Sequence, residues 1–338
     1  MNKKHFKTTS SRYLLNTVAV VLIYLLLSVL INGKVLNRYQ ANLLIPIFFN
    51  VILAVSLNLA AGFLGQLPLG HAGFMSVGAY ASALFTMAVD LPPFVEMSLA
   101  LLVGGLVAGF FGIIIGLPAL RLRGDYLAII TLGFGEIIRV VMLNLKITGG
   151  AFGLSGIQGL TTWRWAFFAL IFTVFVISTI IKSKHGRAIL SIRENEIAAE
   201  SCGINTTYYK TMAFAVAASF AGVAGALYAH YLKILDPSTF GFMKSVEILV
   251  MVVLGGMGSI IGSVISATGL TLLPELLRSF ASYRMVIYAL LLVVVMIFKP
   301  SGLMGTYDFS LGHTFDAFFS KIRKGIPKRK SKDGDSHE

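Results

Sequence analysis

Residues 186–205 read GRAILSIRENEIAAESCGIN. This stretch carries Arg187, Arg193, Glu194, Glu196 and Glu200, and it is the longest charged island between two span-length apolar runs, 163–181 and 211–231. Its isolation decides the fold. Of 338 residues, 56% are hydrophobic and only 13% are charged, whereas soluble domains carry about 25% charged residues. The apolar runs also outlast the ~10-residue alternating strands of an outer-membrane barrel. The sequence therefore predicts an all-α polytopic membrane protein.

Within the island, Ser191 and Glu194 have capping-box spacing, and Gly203 can take the left-handed conformation that ends a helix. A helix over 192–202 is expected, only ~16 Å long at 1.5 Å per residue. Isolated helices that short are marginal in water, so it must lie against something. Glu196 and Glu200, four apart, share a face and repel slightly unless a partner supplies cations. On the residues alone, the island is either such a helix or a solvated loop whose charges set topology.

Outward from it, apolar segments fall at 13–31, 41–62, 72–89, 94–119, 126–143, 163–181, 211–231, 243–273 and 283–298. Allowing for glycine-broken or re-entrant pieces, this predicts about 8–10 transmembrane helices. A basic lead (Lys3, Lys4, Lys7, Arg12) precedes the first run, which has span length and no A-x-A-like site after it, so a retained span is read rather than a signal peptide. With the N-terminus inside, 19 of the 28 Lys and Arg fall on the cytosolic side, as short cytoplasmic loops require. The net charge of +13 is thus mostly topological, and nucleic-acid binding is disfavoured. The expected organisation is a cytosolic tail at 1–12, a transmembrane domain at 13–305 with a cytosolic loop at 182–210, and a basic cytosolic tail at 306–338.

Parity sharpens this. If 243–273 were one crossing, the basic tail would end outside. The Gly255-Gly256-Met257-Gly258 break resolves it, either as a re-entrant turn or as the tip of a tight hairpin. Irregular backbone at membrane depth survives only where protein or a water-filled path surrounds it. A second glycine-rich region, 62–73, includes Gly65, Gln66, His71 and Gly73 and leads to Gly78. The two regions hint at related halves, a common plan in transporters; close helix packing is the competing explanation.

Intramembrane ionisable residues are few: Glu136 and Arg139, spaced to pair on one helix face, and Glu247. His71 is either a satisfied core histidine or a gate element. No chain of unpaired acids suited to proton coupling is present. There is no P-loop, no nucleophile, base and orienter set, no metal-ligand spacing, and a single cysteine, Cys202. The chain reads as a translocation subunit operated by something else, rather than as an enzyme.

Four stretches in order, NLAAGFLGQLPLGHAGFMSVGAYASA at 58–83, GDYLAIITLGFGEIIRVVMLN at 124–144, the island, and SVEILVMVVLGGMGSII at 245–261, resemble the LivM-type permease subunits of bacterial ABC importers for branched-chain amino acids. The resemblance runs from about residue 41 to 305. It implies alternating access in the bacterial inner membrane, driven by two cytosolic ATPases that carry the ATP and Mg, so this chain binds no cofactor itself. It also implies a second, LivH-type permease and a periplasmic or lipid-anchored binding protein. In such importers a cytosolic permease helix docks on the ATPase through an E-A-A pattern followed four residues later by glycine. Ala198, Ala199 and Gly203 fit, while Ile197 stands in place of the glutamate. The resemblance thus implies an ATPase-coupling set of Ser191, Arg193, Glu194, Glu196, Ala199, Glu200 and Gly203, with Glu196 and Glu200 as the contacting carboxylates. A zwitterion with an apolar side chain suits a path of small residues and exposed backbone, and the candidates are Gly65, Gln66, His71, Gly73, Gly255, Gly256 and Gly258. Alternatives are the same architecture importing urea, short amides or a sugar, a self-contained secondary carrier, and a structural scaffold.

Overall fold

The computed structural model describes residues 3–33, 37–122, 124–280 and scattered positions from 283 to 305. The tail expected at 306–338 lies outside the described residues, and the span expected at 283–298 is only partly within them. Two compact units result, one of residues 1–35 with 308–338, the other of 36–307. In the first, α1 (Lys3–Asn32) is a 30-residue helix.

The described part of the second unit is mainly helical. Helix α2 (Arg38–Asn58) runs directly into a π-helical turn, Leu59–Phe63, in which the Leu64 N–H reaches back five residues to the Leu59 carbonyl. Then follow α3 (His71–Ala88), α4 (Pro93–Ala119) with a proline in its first turn, and α5 (Asp125–Asn144). A loop leads to β1 (Leu154–Ser155), and α6 (Trp163–Lys182) returns the chain to the island. The island forms α7 (Lys184–Glu194) and α8 (Glu196–Ser201), and Asn205 caps α9 (Thr206–Leu232). Strand β2 (Ile234–Leu235) pairs antiparallel with β1, and α10 (Phe242–Gly255) and α11 (Ile260–Leu276) complete the described elements. Among described helices, five are long and apolar enough to cross a membrane: Tyr39–Phe63, α4, α5, α6 and α9.

The core is a seam of α3, α4 and α9. Side chains at Gly78, Gly222 or Gly225 would run into the backbone of a neighbouring helix, and one at Gly104 would press on the Gly78 carbonyl. Lipid tails are as apolar as leucine, so association of such helices rests on close backbone approach, which these glycines permit.

The segment at 243–273 is a hairpin of two helices, α10 and α11, turning at Gly256–Ser259. Helix α11 runs antiparallel along α2: Arg278 lies over the Tyr39 ring at 5.4 Å, Asn50 Nδ2 donates to Thr271 Oγ1 at 3.1 Å, and Asn58 Nδ2 donates to Ser263 Oγ at 2.8 Å. The tip of the hairpin therefore lies at the end of the bundle that carries the island. Residues 302–305 lie there too, with the Leu303 and Met304 N–H groups donating to the Leu254 and Gly255 carbonyls at 2.8 and 3.3 Å. The chain has thus returned to the island end after α11, which is what the parity argument requires.

The helix expected over 192–202 is also corrected. Ser191 caps nothing: it sits inside α7, and its hydroxyl donates to the Ala188 carbonyl at 2.8 Å. Asn195 interrupts the helix instead, and its Oδ1 accepts the Ala198 N–H at 3.0 Å to start α8. Gly203 does end α8 in the left-handed region, at φ 81°.

Candidate functional site

The island is fastened to the bundle by its apolar face and by charge. Gly186, Ala188, Ile189 and Ile192 of α7 are buried, as is Ala199 of α8. Ser183 caps α7 by accepting N–H bonds from His185 and Gly186 at 3.1 and 3.4 Å. Glu196 meets Lys210 of α9 at 2.7 Å, where the lysine is only 3% exposed. Glu200 Oε1 accepts the Thr206 hydroxyl at 3.1 Å. The repulsion expected between the two glutamates is thus offset from within the chain. Outward project Glu194, Ala198, Ser201, Cys202 and above all Ile197, 66% exposed.

Beneath the island the two glycine breaks meet. Asn58, buried at the end of α2, holds the hairpin tip with both ends of its amide. Its Oδ1 accepts the Gly258 N–H at 2.8 Å, and its Nδ2 donates to the Ser259 carbonyl at 2.9 Å as well as to Ser263. Gly62 lies against this clasp so closely that any side chain there would collide with Asn58 and the Gly258 backbone. Gly256 and Gly258 turn the tip with φ of 108° and 87°, where an L side chain would be strained. Gly62, Gly255 and Gly256 are buried within this irregular backbone, while Met257 and Gly258 are half-buried. Arg193 closes the junction from the island side, its Nη1 donating to the Gly62 carbonyl at 2.8 Å.

The other sequence candidates fall into three places. Gly65 is exposed and Gln66 half-buried at the island end. His71, Gly73, Gly255 and Gly256 are buried; His71 Nε2 lies 3.0 Å from Ser56 Oγ, Gly73 packs on Gly135, and Gly255 packs on Gly262. Nearer the opposite end, Glu136 pairs with Arg139 at 2.7 Å and also accepts the Phe242 N–H at 3.0 Å, placing a carboxylate at the start of α10, where the helix dipole favours it. Glu247 pairs with Lys244 at 3.0 Å. Between them, Ser238 hydrogen-bonds the Asp236 carboxyl through its hydroxyl and its N–H, holding that group below the usual carboxylate range.

Sequence reasoning missed Asn58, Asn195 and Lys210, together with Glu96 and His230. Each of the last two buries a side-chain atom, Oε1 and Nε2, that has no hydrogen-bond partner among the described residues. For Asn58 the signal was present, a buried-type amide in an apolar run, while its partners lie 200 residues onward.

A bundle of membrane-length helices, its small-residue seam, and a charged island wired to glycine breaks define a membrane permease subunit. The family described as "Branched-chain amino acid transport system / permease component" matches residues 39–298, and the chain belongs to it. The chain is 38% identical over 289 residues to the high-affinity branched-chain amino acid transport system permease protein LivM of Salmonella typhimurium, covering 75% of this chain and 67% of that one. The LivM protein of Escherichia coli K12 gives the same identity and coverage. The LivH permease protein of Escherichia coli K12 is 32% identical over 146 residues, 42% of this chain and 46% of that one.

Proposed function

We propose that this chain is one permease subunit of an ATP-driven importer that moves branched-chain amino acids across the cytoplasmic membrane by alternating access. The observation that carries this reading is the island: a short helix anchored on its inner side and presenting Ile197 outward, in a chain of this permease family. Two cytosolic ATPases supply the energy by docking on α8, since the chain has no P-loop of its own. The second permease is a LivH-like subunit, and a binding protein delivers the solute on the side opposite the island. Lys and Arg counts support the island end as cytosolic, with both termini on that side.

On α8, the exposed Ile197 takes the place of the signature glutamate, and Glu200 and Gly203 flank it. Glu196 steadies the helix through Lys210 and contributes to docking indirectly. Gly65 and Gln66 are the path candidates open at the island end, while His71, Gly73 and the hairpin glycines line the path only after the junction parts. The test is purification of the native complex in mild detergent. Two ATPases and a second permease are expected to co-purify, and Ile197→Lys is expected to release the ATPases while leaving membrane insertion intact. Ion-coupled uptake by this chain alone in vesicles would overturn the reading. Uptake of urea or a sugar in place of leucine, isoleucine or valine would correct the solute.

A further inference from the structure

We propose that Arg193 is a positioning residue that makes the island and the hairpin tip move as one body. The inference rests on the reading of this chain as an ATP-driven permease subunit, and deepens it by naming the part that carries the stroke inward.

The π-helical turn at Leu59–Phe63 changes which backbone groups are paired. In an α-helix the Gly62 carbonyl would accept the N–H of Gln66, but that N–H bonds to the Ala60 carbonyl at 3.0 Å instead. The Gly62 oxygen is thereby freed, and the Arg193 guanidinium donates to it at 2.8 Å. The same side chain touches both glycine breaks: a methyl group on Gly65 would lie 3.1 Å from Arg193 Cγ, and one on Gly258 would lie 3.1 Å from Nη1. Gly65 and Gly258 both have positive φ, so these are positions where a bare backbone turn approaches the arginine.

Arg193 also stands at the right place in its helix. It is in the last turn of α7, one turn after the buried Ile189 and next to the buried Ile192, two residues before the Asn195 interruption that starts the outward-facing α8. A displacement of α8 reaches α9 through Glu196–Lys210 and Glu200–Thr206, and reaches the glycine junction through this turn. On the far side of the junction, Asn58 ties the Gly258 turn to the end of α2. Arg193 and Asn58 thus grip the two breaks from opposite sides, and only the arginine belongs to the island.

The test uses the assembled importer with its binding protein in proteoliposomes. With Arg193→Ala, the ATPases remain bound and the number of ATP hydrolysed per solute imported rises about tenfold or more, the scale expected from losing a charged hydrogen bond; Arg193→Lys, which keeps a cationic donor, recovers most of the coupling. A ratio equal to the native one in Arg193→Ala overturns the proposal. Failure of any ATPase to co-purify with the native chain would instead overturn the functional reading beneath it. Should Arg193→Ala not assemble, spin labels at Ser201→Cys, exposed on α8, and Met257→Cys in a Cys202→Ser background decide the matter. Their separation is expected to stay fixed between nucleotide-free and ATP-bound states when Arg193 is present, and a change overturns the single-body assignment.

Discussion

Asn58 shows how much a single side chain can hold when backbone turns leave polar groups behind inside a membrane. It satisfies one N–H, one carbonyl and one hydroxyl on the hairpin. Asn58→Leu would leave the Gly258 N–H without this acceptor, at about 1–3 kcal/mol for a buried group, while the Ser259 carbonyl keeps its bonds from the Ser263 N–H and hydroxyl. We expect the purified protein to melt several degrees lower; an unchanged melting temperature would show that the clasp contributes nothing. Lys210 is the second such residue. Lys210→Met removes this ion pair from Glu196 and is expected to destabilise, though by less than the roughly 3–5 kcal/mol of a fully buried pair, because the glutamate is 21% exposed. Adding Glu196→Gln should recover part of the loss in a double-mutant cycle read by thermal melting. Neither partnership was legible in sequence. The residue types were visible, but the Asn58 partners lie about 200 positions onward, and Lys210 meets Glu196 only because α8 folds back against α9.

At the scale of the element, the island separates what spacing can say from what packing decides. Ser191 with Glu194, and Asn195 with Ala198, are both plausible helix starts by local chemistry. The choice falls to Asn195 because the apolar face of Ala188, Ile189 and Ile192 continues across Ser191 and keeps that turn helical. Asn195→Ala should therefore weaken α8 by about 0.5–2 kcal/mol, seen as faster hydrogen exchange over 196–201. Ser191→Ala should leave that exchange unchanged, since its hydroxyl bonds backward within α7. The end of the helix was readable, because Gly203 needs no tertiary partner to adopt its conformation. For the hairpin, the glycine break and the parity of basic loops were also readable. The packing of α11 antiparallel along α2 was not, because it depends on partners more than 200 positions apart.

Across the whole second unit, glycine serves two opposite ends, and sequence alone gave no means to sort them. Gly78, Gly104, Gly222 and Gly225 lock α3, α4 and α9 backbone to backbone, whereas Gly62, Gly256 and Gly258 bend the chain where side-chain hydrogen bonds hold it. The first set has no room to change without separating helices. The second can rearrange by exchanging a few bonds, so motion is expected at the junction and rigidity in the seam. Substitutions test the division. Gly78→Val and Gly222→Leu force side chains into facing backbone, and overpacking of this kind costs about 1–3 kcal/mol or more. Each should lower the yield of folded, detergent-stable protein. Gly269→Ala, on α11 with no atom within 4 Å of the added methyl, should be neutral or stabilising by up to ~1 kcal/mol through helix propensity. If the seam variants melt at the native temperature while Gly269→Ala does not, the rigid part of the molecule lies elsewhere, and the stroke that reaches the hairpin must be carried through α3, α4 and α9 rather than past them.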